Sequence, residues 1–181
     1  TINGNGHTLS AGFLAGDTSH NAAINFVNSP NVTINNLSLA GTTGNNLWGI
    51  NAFKGTVTLN GVSISGFNQD AGMLVNSATV NATNISTANN NGNNRGIYVK
   101  QNPSSSAAQS KLNIYNTSHH TETAGIYIED ITKNVQVNDI DSQYAIAAVG
   151  NQRFYSLPVP EFVSLGASYR KDTYKGINVD I

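Results

Sequence analysis

The sequence predicts an all-β protein, a parallel β-solenoid of about six coils that ends in a C-terminal cap or loop region. Three observations predict this fold. A short motif recurs at intervals of 20 to 29 residues, a second motif of alternating apolar residues follows most of its copies, and no segment keeps a helical period. We expect the coils over residues 1–149. Residues 150–181 are expected to form an irregular capping segment of the same domain, with room for one final strand.

The first motif is a small residue followed by an apolar residue, any residue and a second apolar residue. Its six copies begin at Ala23, Gly49, Gly72, Gly96, Gly125 and Ala145. Alternate side chains of a strand point to opposite faces, so the apolar pair is expected to face inward and the middle residue outward. Stacked coils would then align one apolar ladder, made of Ile24, Ile50, Met73, Ile97, Ile126 and Ile146.

The second motif consists of two short period-two runs joined at Asn or Gly, over residues 32–39, 57–64, 78–85, 112–119 and 135–142. Its β-branched residues predict strands. Aligned copies predict a ladder of Ile34, Leu59, Val80, Ile114 and Val137, and a third of Leu39, Ile64 and Ile85. Asn35, Asn60, Asn81 and Asn138 are expected at one bend, where Asn tolerates left-handed backbone and can hydrogen-bond to its copy in the next coil.

The repeat weakens after Gly150. Pro158 and Pro160 have no backbone N–H group to donate to a neighbouring strand, so the segment around them cannot be a central strand. A solenoid needs its end covered, which makes residues 150–175 a candidate cap. Residues 176–179 match the first motif again, so either another coil follows or this strand pairs at the sheet edge.

Composition narrows the function. Only 10% of the residues are charged, the formal net charge is −1 and cysteine is absent. These values exclude disulfides, Cys metal sites and a binder of nucleic acid driven by bulk charge, and no apolar run is long enough to cross a membrane. The 28 Asn residues in a low-charge chain fit an exported bacterial surface protein. The chain begins at Thr1 without a visible signal peptide, so we expect it to be a piece of a longer protein.

The opening residues 1–9, the recurring motifs and the Asn set together resemble the right-handed parallel β-helix of the pectin-lyase-like superfamily. The Asn-, Ser- and Thr-rich character is most similar to binding regions of Gram-positive surface adhesins, such as the serine-rich-repeat adhesins of lactobacilli. The resemblance implies attachment to host or matrix glycans. It covers nearly the whole chain as a pattern, and no ligand-binding motif matches residue by residue.

The candidate ligand-binding residues lie in the middle of the first motif, in a row that is expected to face solvent. The row is Asn25, Asn51, Leu74, Tyr98, Tyr127 and Ala147. Its two tyrosines would form an aromatic shelf for sugar rings, flanked by Arg95 and Lys100. Trp48 is a further platform if exposed and a core residue if buried. In the tail, Arg153 and Tyr155 belong to a basic and aromatic group that suits an anionic glycan or a cap.

The acidic and histidine residues give weaker candidates. Asp139 and Asp141 share one face of a strand, as two hydrolytic carboxylates would. Together with Glu129 and Asp130, these two residues form the densest acidic group of the chain, which gives a weak calcium candidate. Side chains of adjacent histidines, His119 and His120, point to opposite faces, which disfavours a shared metal.

We therefore expect a non-catalytic adhesin module on the bacterial cell surface or cell wall, a monomer within a larger surface protein. It would bind carbohydrate, with no catalytic residue, metal or cofactor, no nucleic-acid partner and no membrane insertion. The alternatives are a polysaccharide lyase or glycoside hydrolase of the superfamily that the chain resembles, and a structural stalk.

Overall fold

The computed structural model describes residues 1–12, 21–91, 95–100, 109–120, 124–129, 135–139, 146–149 and 177–180, with side chains up to Tyr115 and at Ile126 and Tyr127. These residues form strands joined by turns, and none of them lies in a helix. The strands are β1 (Ile2–Asn3), β2 (Thr8–Ala11), β3 (Ala22–Gly41), β4 (Trp48–Ser65), β5 (Ala71–Ala88), β6 (Arg95–Lys100), β7 (Ser110–His120), β8 (Ala124–Glu129), β9 (Val135–Asp139), β10 (Ile146–Val149) and β11 (Ile177–Asp180).

The strands wind as a parallel β-solenoid, which confirms the predicted fold class. β3, β4 and β5 are continuous runs of 18 to 20 residues that each contain both motifs, and each pairs with the next in parallel. After β5 the two motifs separate: β6, β8 and β10 carry the first, and β7 and β9 carry the second. The last strand, β11, pairs antiparallel with β9. Residues 177–180 therefore lie at a sheet edge, and the alternative of a further parallel coil is wrong.

The first motif aligns as predicted. Ile24, Ile50, Met73, Ile97, Ile126 and Ile146 are successive register partners. The side chains of Ile50, Met73, Ile97 and Ile126 are completely buried, while Ile24 is half-buried. Ile24 lines a cavity of about 500 Å³ that Ile2, Leu9 and Leu37 also line. The apolar ladder is the core of the solenoid.

The predicted register of the second motif is wrong by two residues at three steps: between β4 and β5, between β5 and β7, and between β7 and β9. Val80 pairs with Val57 and Leu112, not with Leu59 and Ile114. The true partners of Leu59 are Ile34 and Ala82, and Val137 pairs with Leu112 instead of Ile114. Likewise Ile85 pairs with Val62, while Thr87 takes the position beside Ile64. A shift of two residues keeps every side chain on its face, so the alternating pattern fits both registers equally well.

The corners, where the chain turns from one face to the next, decide the register. Left-handed backbone recurs in line at three corners. The residues are Asn28, Lys54 and Ser77 at the first corner, Asn36, Gly61 and Asn84 at the second, and Gly66 and Asn89 at the third. The predicted bend residues, Asn35 and Asn60, come one position before this second set and remain in extended strands.

Asn35 and Asn60 nevertheless form the predicted polar ladder. Asn60 Nδ2 donates to Asn35 Oδ1 at 2.9 Å, and Asn35 Nδ2 donates to Asn3 Oδ1 at 2.9 Å. Asn81 belongs to a different ladder, in which Asn113 Nδ2 donates to Asn81 Oδ1 at 2.8 Å. The register places Asn138 beside Asn113, so Asn81 and Asn138 do not share the Asn35 position.

Two buried asparagines fasten the third corner to its neighbours. Asn45 Nδ2 donates to the carbonyls of Thr42 and Gly66, and its Oδ1 accepts from the backbone N–H groups of Leu47 and Asn68. In the next coil Asn90 Nδ2 donates to the carbonyl of Ile64 at 3.1 Å. These side chains supply partners to backbone groups that the strands leave unpaired at the corner.

Steric crowding explains why the first motif begins with a small residue. A Cβ at Gly49 would lie 2.5 Å from Ile64 Cγ2 and 2.8 Å from the carbonyl oxygen of Gly72. The coils approach closely at this position, so a larger residue would push the corner open.

Candidate functional site

The candidate site lies on the outer face of the first-motif strands. Asn25, Asn51, Leu74, Tyr98, Tyr127 and Ala147 are successive register partners, as predicted. The strands are ~4.8 Å apart, so this outward row runs along the solenoid axis. It brings described side chains from five strands, β3, β4, β5, β6 and β8, into one surface.

The outward row is largely covered, which corrects the expectation of an exposed aromatic shelf. Tyr98 is 6% exposed and Tyr127 is 9% exposed. They pack in an outer apolar cluster with Trp48, Ala71 and Leu74, which we call the aromatic cluster. Trp48 is buried, so it is a core residue and not an exposed platform. Outward direction alone did not predict exposure, because neighbouring large side chains cover one another along the axis.

Ring contacts hold the aromatic cluster together. The ring centroids of Trp48 and Tyr98 are 6.0 Å apart with an interplanar angle of 37°, and those of Tyr98 and Tyr127 are 5.3 Å apart at 66°. Both distances fall in the range in which aromatic rings attract one another. The cluster is therefore a rigid apolar platform beneath the polar side chains around it.

Two cations rest on this platform. The guanidinium carbon of Arg95 lies 3.4 Å from the centroid of Tyr127 and 5.1 Å from that of Tyr98. Lys100 Nζ lies 5.6 Å from the centroid of Tyr98. A guanidinium stacked flat on a ring keeps its N–H groups in the plane, pointing away from the ring, where they can meet an anion. Arg95 and Lys100, both predicted from the sequence, thus come together around Tyr98.

Asp70 is a member of the site that the sequence analysis missed. Its Oδ1 lies 3.9 Å from Arg95 Nη1, and the two side chains are 30% and 19% exposed, respectively. The strand register could have predicted this contact, because Asp70 immediately precedes Ala71 and Ala71 pairs with Arg95. Asp70 therefore places a carboxylate on one side of the guanidinium.

Asn51 ends a polar ladder inside the row. Its Nδ2 donates to Asn25 Oδ1 at 2.7 Å, and Asn25 Nδ2 donates to Asn21 Oδ1 at 3.2 Å. On the other side Leu74 offers no donor, and the buried Oδ1 of Asn51 has no hydrogen-bond partner in the described part of the chain. Reversing the amides would strand Nδ2 in place of Oδ1, so one polar atom stays unsatisfied in either orientation.

Asn51→Leu is therefore expected to stabilise the protein by about 1 kcal/mol, because it removes an unsatisfied buried amide and adds apolar contact with Leu74. Urea unfolding followed by circular dichroism measures the change. Asn25→Leu is the complementary variant: it removes the oxygen that accepts from Asn51 Nδ2, leaves that donor unsatisfied, and is expected to destabilise the protein by about 1 kcal/mol. A loss of stability in Asn51→Leu would show that the hydrogen bond between Asn51 and Asn25 stabilises the protein by more than the unsatisfied Oδ1 of Asn51 destabilises it.

Most of the other predicted residues lie outside the part of the chain whose side chains the structure describes. Arg153 and Tyr155 lie outside the described residues, as do Asp130 and Asp141, and the side chains of His119, His120, Glu129 and Asp139 are not described. By register Asp139 pairs with Ile114. Glu129 pairs with Lys100, so its backbone lies beside the candidate site. Within the described side chains, no three acidic or histidine residues cluster as a metal site would require.

Comparisons with protein-family models, curated proteins and solved structures find no match for this chain. In the portion of the chain described here there is also no helix with the length and apolar character needed to cross a membrane.

Proposed function

We propose that this chain is a non-catalytic, carbohydrate-binding module of a bacterial surface adhesin, and that it binds an anionic glycan through Arg95 and Lys100. The module would be displayed outside the cell, as part of a larger surface protein. The single observation that carries the proposal is the Arg95 guanidinium, stacked at 3.4 Å on Tyr127 while its side chain stays 19% exposed.

Preorganisation supports this assignment. A free arginine side chain loses much rotamer freedom when it binds an anion, whereas Arg95 is already held by Tyr127, Tyr98 and Asp70. Its planar donors match the geometry of a carboxylate or sulfate. An anionic sugar would accept hydrogen bonds from Arg95, while the covered aromatic cluster beneath holds the guanidinium in place.

The charges around Tyr98 also bear on the ligand. Arg95 and Lys100 place two positive charges there, against the carboxylate of Asp70 and against Glu129, whose backbone pairs with that of Lys100. The positive and negative residues therefore balance, and the site would bind an anion through the planar donors of Arg95 rather than through an excess of charge. Salt weakens such binding.

Arg95→Gln is expected to lower the affinity for anionic glycans about tenfold or more, because hydrogen bonds to a charged group contribute about 1.5 to 3 kcal/mol. A glycan array that contains matched acidic and neutral oligosaccharides measures the change. Lys111→Gln removes a positive charge from another face of the solenoid and is the control. Binding that is unaltered in Arg95→Gln, or equal for acidic and neutral glycans, would overturn the proposal.

Arg95 is a better target than the tyrosines. Tyr98 and Tyr127 are buried in the aromatic cluster, so a double alanine variant would remove core packing together with any ligand contact. Arg95→Lys adds a second test: it keeps the charge but loses the planar stack, and is expected to bind with intermediate affinity.

A stalk is the second candidate. The continuous core ladder and the Asn ladders make each coil contact only its neighbours, which produces a stiff rod that could hold another domain outward. Absence of binding to any glycan, with the fold intact, would favour this candidate over the adhesin.

A further inference from the structure

We propose that the ligand is a linear polyanionic glycan with regularly repeated acid groups, and that it lies along the solenoid axis from Arg95 and Lys100 to a second cationic position at Lys54. This inference rests on the proposed function and deepens it. It names the ligand class and adds Phe53 and Lys54, which the sequence analysis did not select, to the binding face.

The second position lies in the register column beside the outward row. Val27, Phe53, Asn76 and Lys100 are successive partners in this column. Val27 is 53% exposed, Lys54 is exposed and Phe53 is partly exposed. Unlike the buried rings of the aromatic cluster, Phe53 therefore offers accessible aromatic surface to a ligand.

Lys54 repeats the arrangement seen at Tyr98. Its Nζ lies 5.1 Å from the centroid of Phe53, as Lys100 Nζ lies 5.6 Å from that of Tyr98. A cation held over a ring is attracted by the ring electrons and kept near the surface. The face thus carries two cation-on-aromatic units, one on β4 and one on β6.

The spacing of these units indicates the kind of ligand. β4 and β6 flank β5, so the units are two strand spacings, or about 10 Å, apart along the axis. Between them the column carries Asn76, which is uncharged. A polysaccharide with an acid group on every second sugar has a charge spacing of this order, whereas a glycan with a single terminal acid could occupy only one unit.

Charge complementarity favours a polyanion over a neutral chain. Among the described residues, this face carries Lys54, Arg95 and Lys100 against Asp70 and, by register, Glu129, so three positive charges face two negative ones, and Lys111 lies elsewhere. Exposed apolar surface at Val27 and Phe53 lies beside the charges, as the C–H faces of sugar rings require.

Titration calorimetry with hyaluronan fragments tests the inference, since this polymer carries a carboxylate on every second sugar. The octasaccharide is expected to bind the wild-type chain roughly tenfold more tightly than the disaccharide, because it reaches both units. Lys54→Asn, which suits the left-handed backbone at this position, is expected to weaken octasaccharide binding up to about fivefold and to leave disaccharide binding unchanged. Lys111→Gln is the control.

The outcomes separate the two proposals. If Arg95→Gln weakens both fragments while the octasaccharide binds no better than the disaccharide, or Lys54→Asn has no effect, the inference is overturned and the proposed function stands. If neither fragment binds and no acidic glycan binds on the array, the inference and the proposed function are both overturned. Equal affinity for a single-stranded oligodeoxynucleotide of the same charge would overturn the assignment of a glycan as the ligand.

Discussion

Gly55→Ala is expected to destabilise the protein by more than about 3 kcal/mol, because it combines a strained backbone with a backbone clash. Gly55 has φ of +103°, a conformation that residues with a Cβ rarely adopt. A Cβ there would overlap the carbonyl oxygen of Ser29 and lie 2.7 Å from its carbonyl carbon. Ser29 is the register partner of Gly55, so relief of the clash would require two coils to separate at the first corner.

Urea unfolding followed by Trp48 fluorescence measures this effect. Gly44→Ala is the matched control, since Gly44 also has positive φ, +75°, but a Cβ there would have nothing within 4 Å. It is expected to cost about 1 kcal/mol or less, the backbone strain alone. Equal losses in the two variants would contradict the close approach of the coils at Gly55.

Phe67→Ala is expected to cost about 3 to 5 kcal/mol, the usual range for emptying a buried aromatic position. Phe67 is completely buried and is among the largest such side chains described. It follows β4 at the third corner, where its backbone N–H donates to Asn90 Oδ1 at 3.1 Å. Its ring also faces Gly49, whose Cβ would lie 2.9 Å from Phe67 Cδ2. The substitution therefore leaves a cavity that the fixed corner cannot close.

Chemical denaturation with far-ultraviolet circular dichroism measures the loss. Phe67→Leu fills most of the volume and is expected to cost less than half as much. Val27→Ala is the control for an apolar side chain outside the core, since Val27 is 53% exposed, and is expected to change stability by less than about 0.5 kcal/mol. A loss in Phe67→Ala no larger than in Val27→Ala would contradict the packing at this corner.

The corners explain which structural predictions failed. A period-two pattern repeats every two residues, so the alignment of Leu59 with Val80 satisfied it as well as the true alignment with Ala82. The difference lies in how the chain turns at Lys54 and Gly55 in one coil and at Ser77 and Ala78 in the next. Lys and Ser rarely adopt left-handed backbone, so the residue types at Lys54 and Ser77 did not predict where the chain turns.

The candidate site shows the same division. Register follows from the first motif, so the alignment of Tyr98 with Tyr127 and the position of Arg95 and Lys100 beside them were predictable. Exposure was not, because it depends on how far Trp48 reaches across β5 to Tyr98. Asp70 joined the site through a pairing between Ala71 and Arg95 that no single motif copy contains.

Motif spacing and the alternation of side chains are properties of the strand alone, so they were enough to predict parallel coils wound around an apolar ladder. They also predicted the alignment of Ile50, Met73 and Ile97. The register after each corner, the burial of the aromatic rings and the exposure of Phe53 became known only from the folded chain. These depend on contacts between coils, where large side chains from different repeats meet and cover one another.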